Sequence, residues 1–271
     1  MNIFEVQDTN KDKTNEISII VMSSDGYKHF WRPFISLYNK NFKNSAKPYI
    51  FSNNISFEYE GVCVTPLGDI EWSSRLRKAL KQINTNYVLF MLEDYFISAP
   101  VDDSNFRIIV NSFIQNDLNY LKLNMNHLGS RGFKKTRKVV KMVDYEISLQ
   151  PSIWNKEYLL SSLPDYPANA WQVEQHLNIM TSSAGFNSSG CYILAYNILR
   201  ISHGAVKGEF LPTAKWVLKK HDIEIESKDI KNMSTINYVK LLFRIKIKSI
   251  IPRFLYMRIK RLLRKLNFKL Y

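Results

Sequence analysis

Six residues, Ile17-Ser-Ile-Ile-Val-Met22, form an almost unbroken apolar run that stops at the polar cluster Ser23-Ser-Asp-Gly26. A short β-branched run closed by turn-forming residues predicts a buried strand followed by a loop. Phe30, Phe34, Leu37 and Tyr38 then recur at helical spacing and predict a helix from about Lys28 to Lys40. Lys47-Pro-Tyr-Ile-Phe-Ser52 and Val62-Cys-Val-Thr65 read as two further strands. Trp72 to Gln82, with Leu76, Ala79, Leu80 and the following Ile83 on one face, reads as a second helix. Tyr87-Val-Leu-Phe-Met-Leu92 is the most hydrophobic strand candidate, and it runs straight into Glu93-Asp94.

Strands that alternate with helices predict an α/β fold with parallel strands. Ligands of such sheets sit at the carboxyl ends of the strands, where both Ser23–Gly26 and Glu93–Asp94 fall. Beyond Asp94 the pattern is less regular. It predicts helices over Asn105 to Asn116 and Val173 to Thr181, a strand at Tyr120 to Asn124, and a strand within Val139 to Ser148. There is no internal repeat and no low-complexity segment.

Composition narrows this picture. The chain has 271 residues, 45% hydrophobic and 13% aromatic, enough for one domain with a real core plus an appendage. Cys63 and Cys191 form no CxxC pair and no dense framework, so a disulfide scaffold or structural zinc site is not expected and a reducing compartment is. Met1 to Glu16 is polar and lacks the apolar core of a signal peptide. No apolar run reaches the roughly 20 residues needed to span a bilayer. These features predict a cytoplasmic protein. Of the 38 Lys and Arg, eleven lie in Tyr238 to Tyr271, where there is no acidic residue; residues 1–237 hold 27 basic and 24 acidic groups. A nearly balanced body with a basic end argues against nucleic acid as a partner.

Two adjacent carboxylates at the end of an apolar strand are costly unless paired or bound to a cation. One reading is a divalent metal site, since Mg²⁺ and Mn²⁺ take carboxylate oxygens together with substrate phosphates. The other is an ordinary acidic turn. Trp72-Ser-Ser-Arg-Leu76 followed by Ile83-Asn-Thr-Asn-Tyr-Val-Leu-Phe-Met-Leu-Glu-Asp-Tyr-Phe96 resembles the central segment of bacterial GT-A glycosyltransferases of capsule, lipopolysaccharide and cell-wall glycan assembly (family 2-like). The resemblance covers roughly residues 17 to 220. It implies a Rossmann-type mixed sheet flanked by helices, a nucleotide-sugar donor, and a glycan or lipid-linked acceptor. In that family an acidic motif, usually written DxD, holds the metal and the donor diphosphate. Glu93 and Asp94 are the matching positions, in the departure Leu92-Glu-Asp-Tyr-Phe96.

The same resemblance places Ser24 and Asp25 near base and ribose, and Arg75 near nucleotide or phosphate. It puts Gln150, Trp154 and Trp171 on the acceptor side, Glu174 at the catalytic base of an inverting enzyme, and Ile201-Ser-His-Gly-Ala-Val-Lys-Gly208 at the end of the fold. His203 is then a candidate third metal ligand or diphosphate contact, with a plain surface loop as the alternative. Trp171 and Glu174 share a helical face at three-residue spacing. An adjacent indole would desolvate the carboxylate and raise its pKa, the direction a general base needs. His127 is a weaker candidate for an acceptor groove, and the basic stretch Arg131 to Lys141 reads as an exposed loop that meets an anionic lipid-linked acceptor or, as is usual for such runs, as a solvated charge run.

The last segment carries its own pattern. Leu255, Ile259, Leu262, Leu263, Leu266 and Leu270 form an apolar stripe, while Arg253, Lys260, Arg261, Arg264 and Lys265 cluster opposite. This predicts a basic amphipathic helix on an anionic membrane surface, on the inner face of the cell membrane. The expected organisation is a polar segment over 1–16, a GT-A domain over 17–225 and a membrane-associating tail over 226–271. A nucleotidyltransferase is a competing reading, although Ser23–Gly26 lacks the glycine-rich basic phosphate loop such an enzyme needs. A membrane-surface scaffold without activity is another.

Overall fold

The structure is a computed structural model, and it describes residues 13–43, 45–124, 136–138, 147–182, 190–194, 196–206, 208–225 and 230–250. Most of the strand expected within 139–148, His127, and the stripe beyond residue 250 fall outside these residues.

The elements run β1 (Ile17–Met22), α1 (Trp31–Asn41), β2 (Tyr49–Ser52), β3 (Phe57–Tyr59), β4 (Val62–Pro66), α2 (Trp72–Gln82), β5 (Tyr87–Leu92) and β6 (Tyr95–Ile97). They continue with α3 (Asp103–Gln115), β7 (Tyr120–Lys122), β8 (Thr136–Lys138), β9 (Ser152–Asn155), α4 (Lys156–Ser162), α5 (Ala170–Ser182) and β10 (Cys191–Leu194). Last come β11 (Ile201–His203), β12 (Ala205–Val206), β13 (Glu209–Phe210), α6 (Pro212–Lys220) and α7 (Thr235–Ile250). Nine strands form one mixed sheet in the order β3-β4-β2-β1-β5-β9-β7-β10-β8. Strands β4, β2, β1 and β5 are mutually parallel; β9 enters antiparallel beside β5 and β7. The expected α/β class, a mixed sheet flanked by helices, is what the chain adopts.

Burial explains the run of apolar residues in β1. All six of its residues are buried because helices cover both faces of the sheet. Side chains alternate across a strand, so Ile19, Val21, Leu89 and Met91 join the core under α1, α3 and α6. Ile20, Met22, Val88 and Phe90 join the core under α2, α4 and α5. Local chemistry sets the helix starts. The Asp102 side chain accepts the Asn105 N–H at 3.0 Å to cap α3, and the Asn155 side chain accepts the N–H groups of Glu157 and Tyr158 to cap α4. The first helix starts later than its periodicity predicts, because Asp25–Phe30 winds into a 3-10 turn before α1. Both cysteines are free.

The register fixes what lies at the sheet's carboxyl edge. Met22 pairs with Leu92, so Ser23-Ser24 and Glu93-Asp94 leave the sheet side by side. Two small accessory sheets, β6–β11 and β12–β13, stand next to this edge.

Candidate active site

A cleft of about 220 Å³ opens at the ends of β1 and β5. It is lined by Met22, Ser23, Ser24, Tyr27, Trp72, Leu92, Glu93, Asp94, Ala170, Ala205 and Gly208. The two carboxylates thus face a concavity rather than an outer edge. Two larger hollows, of about 410 and 690 Å³, flank Asp222–Glu224. Both are more open to solvent and neither contains a buried acidic pair, so size alone does not locate the chemistry.

Glu93 is buried, and burial first, then the neighbouring Asp94 charge, hold its carboxyl well above the usual carboxylate range; its own amide and Arg75 act in the opposite sense. Burial likewise pushes Asp94 up to about 6, against hydrogen bonds from the Ala205 amide and its own. Two like charges held in a low-dielectric site without full compensation are the environment a cation relieves. Glu93 and Asp94 therefore fit a divalent ion. Among the described residues no group of three or more His, Cys, Asp or Glu side chains could hold a metal, so His203 does not complete a three-ligand set. Its ring lies edge-on to Tyr95 at 5.0 Å, open to solvent on one side yet sunk deeply enough that burial lowers its pKa.

What holds Asp94 is the chain beside His203. The Gly204 amide donates to the Asp94 carbonyl at 2.6 Å, and the Ala205 amide meets its carboxylate. A Cβ on Gly204 would lie 3.2 Å from the Asp94 Cβ and 3.3 Å from its carbonyl oxygen, so the glycine permits this approach. Within Ile201–Gly208 it is Gly204 and Ala205, the two residues after His203, that make the contact.

Arg75 is buried on α2 and donates from one terminal nitrogen to the Ser23 carbonyl at 2.7 Å. Its Nε is buried with no hydrogen-bond partner, an unspent donor beside Asp25 and Glu93, whose charges it feels. Trp31 donates its indole N–H to the Ser23 hydroxyl at 2.7 Å, a clamp on the β1 terminus that sequence reasoning missed. Ser24 lines the cleft. Asp25 stands beside it, with Oδ1 accepting the amides of Asn53, Asn54 and Ile55; its carboxylate fixes the turn after β2.

The acceptor-side candidates divide. Trp154 has no exposed surface, packs against Tyr120 at 4.5 Å and donates to the Ser152 hydroxyl. It is a core residue, and its assignment to an acceptor is withdrawn because it offers no face to a sugar. Trp171 is 61% exposed, the reverse of a core indole. Gln150 is half-buried at the entry to β9, with its carbonyl accepting the Ser152 hydroxyl. Glu174 lies one helical turn beyond Ala170, which lines the cleft, so both occupy the same face of α5. Its carboxylate accepts the Leu149 amide at 3.1 Å. Burial raises its pKa, and the Leu149 amide and buried Lys122 oppose the rise. Burial first, then the charges of Asp94, Glu174 and Glu93, hold the Tyr95 hydroxyl well above its ordinary pKa.

No family model and no curated protein matches the chain. Among solved structures, it is similar to S. aureus TarS residues 1-349 at 18% identity, over 66% of this chain and 58% of that one, with a TM-score of 0.44. It is also similar to glucosyl-3-phosphoglycerate synthase from Mycobacterium tuberculosis, in complex with phosphoglyceric acid, at 14% identity over 77% and 81% of the two chains (TM-score 0.45). A cytidylyltransferase from Leptospira borgpetersenii serovar Hardjo-bovis matches at 12% identity over 81% and 98% (TM-score 0.44). The chain spans less than two thirds of the TarS fragment, and the reading of the site rests on its own geometry.

Proposed function

We propose that this protein is a glycosyltransferase that moves a sugar from a nucleotide-sugar donor to a glycan or lipid-linked acceptor in surface polysaccharide assembly. The observation that carries the reading is the Glu93–Asp94 pair, buried beside Arg75 in a cleft at the carboxyl ends of parallel β1 and β5. The cleft is smaller than the roughly 300–1,000 Å³ of common ligand sites. That size suits the diphosphate and sugar of a donor, with the nucleoside along the rim past Ser24.

Glu93 and Asp94 would hold Mn²⁺ or Mg²⁺, which when bound supplies charge neutralisation for the diphosphate leaving group. Arg75, buried beside Glu93, would add positive charge near the diphosphate. Glu174 accepts the proton of the acceptor hydroxyl as that oxygen attacks the anomeric carbon, inverting its configuration. A raised pKa serves this role, and such a base contributes about 10²–10⁴-fold. Trp171 offers an exposed aromatic face to the acceptor at the start of α5. The basic C-terminal segment would keep the enzyme at the inner membrane surface, where a lipid-linked acceptor resides.

The test is a turnover screen of UDP-, GDP-, dTDP- and CMP-sugars with Mn²⁺ or Mg²⁺, following release of nucleotide. Metal-dependent release from one donor is expected. Pyrophosphate release from a nucleoside triphosphate and a sugar phosphate would replace this reading with nucleotidyl transfer. No turnover and no nucleotide binding would leave a scaffold.

A further inference from the structure

We propose that the outward face of α7 is a docking surface for an anionic phospholipid bilayer. The sequence pattern put the membrane-facing stripe beyond Pro252, yet the structure exposes an apolar face earlier in the chain. Ile236 is 70% exposed, Val239 58% and Phe243 64%, with Leu242 at 37%. The first three follow i, i+3, i+7 spacing and so form one stripe along the helix.

The opposite side of α7 already has a partner. Tyr238 and Leu241 pack against the core formed by β1, α1, α3 and α6. The chain leading into the helix is tied down too: Asn232 bridges Phe210, the Met233 amide donates to the Phe210 carbonyl at 3.0 Å, and Lys231 meets Glu209 at 2.6 Å. The helix is therefore anchored to the body by one face while it presents an apolar stripe with the other. Exposed apolar stripes of this kind mark interaction surfaces.

Charge selects the occupant. Lys240, Arg244, Lys246 and Lys248 lie on α7, and no acidic residue occurs from Tyr238 to the end of the chain. Two copies of such a helix would repel each other. An anionic leaflet attracts each Lys or Arg near it by about 1 kcal/mol, and apolar side chains between basic ones suit the boundary between headgroups and acyl chains. The inference rests on the C-terminal segment meeting a membrane, but moves the first contact from the segment after Pro252 to a helix fixed on the body. It does not depend on the glycosyl transfer reaction.

The experiment is co-sedimentation of the full-length protein with vesicles of phosphatidylcholine alone and of phosphatidylcholine with 30% phosphatidylglycerol. Three proteins are compared: wild type, Val239→Ser/Phe243→Ser, and Lys260→Gln/Arg261→Gln/Arg264→Gln/Lys265→Gln. Wild type should bind the anionic vesicles, lose most binding as salt rises from 0.05 to 0.5 M, and bind neutral vesicles weakly. The α7 variant should bind about tenfold less, with an unchanged melting midpoint. Equal binding by wild type and the α7 variant, with loss only in the third protein, would overturn the α7 proposal and leave membrane attachment standing. No binding by wild type would overturn both. A midpoint several degrees lower in the α7 variant, or a concentration-dependent dimer that this variant abolishes, would show that the chain itself or a second copy covers the face, and would also overturn it.

Discussion

The two sides of the sheet are built differently. On one side, β1, β2, β4 and β5 run parallel, and α1 and α2 cover opposite faces of them. On the other, the directions are mixed: β9 is antiparallel to β7, β10 parallel to β7 and β8 antiparallel to β10, and all four are short, three or four residues each. The first side makes an edge, packed by helices on both faces, that holds two carboxylates side by side. The second side contributes α5 with Glu174. The difference amounts to a division of labour: charge is held where parallel strands end and helices pack on both faces, and the groups proposed for the acceptor side come from the less regular half.

This division can be broken by substitution. Glu174→Gln comes from the irregular half and should lower kcat by about 10²–10⁴-fold while donor affinity stays within about twofold, measured by steady-state rates and donor titration. Loss of donor binding in that variant would place Glu174 on the wrong side of the comparison. Next in size is the contrast between two tryptophans of the same half. Trp154→Ala should cost about 3–5 kcal/mol of stability, because it empties a fully buried site. Trp171→Ala should cost under about 0.5 kcal/mol and act on acceptor KM instead. Denaturant melts and acceptor titrations check both.

The parallel edge yields a pH prediction. The Asp94 pKa is raised from 3.8 to about 6 in the folded protein. A raised carboxylate pKa contributes stability that is complete below about pH 4 and is lost as pH rises through about 6. Asp94→Asn should remove this loss, so the metal-free variant should be more stable than wild type above pH 6 by up to about 3 kcal/mol. Melts from pH 4 to 8 show it; parallel curves for the two proteins would mean the carboxyl is not held up. Mn²⁺ affinity should rise over the same interval, since the ion binds the ionised form. The smallest effect is expected from Gly204→Ala. The new methyl must displace Asp94 by a few tenths of an ångström, and should weaken Mn²⁺ binding severalfold without a change in overall fold, read by metal titration and circular dichroism.

The sequence revealed the two halves unequally, for a physical reason. Parallel strands buried on both faces are continuous apolar runs, so the pattern marks Ile17–Met22 and Tyr87–Leu92 to the residue. The strands β6, β9 and β10 are only three or four residues long, too short for the pattern to mark them, although Tyr95–Ile97 and Cys191–Leu194 are wholly apolar. Trp154 read as an acceptor candidate since an indole looks alike in a core and at a sugar site; only its contacts separate the two. Glu93 and Asp94 stand out because charge next to an apolar run is conspicuous, whereas Arg75 stands out only through the family resemblance. Gly204 and Ala205 do not stand out, because they act through backbone amides that leave no side-chain signature. The clamp of Trp31 on Ser23 and the outward face of α7 likewise depend on folding.

The most direct test of the central claim is calorimetric titration of the donor found in the turnover screen, with Mn²⁺ present, into wild type and Glu93→Gln/Asp94→Asn. The account predicts that wild type binds and that the double variant, still folded, loses about 10²-fold or more in affinity. Equal affinity in the two proteins would contradict it, because the buried acidic pair would then have no part in holding the activated sugar.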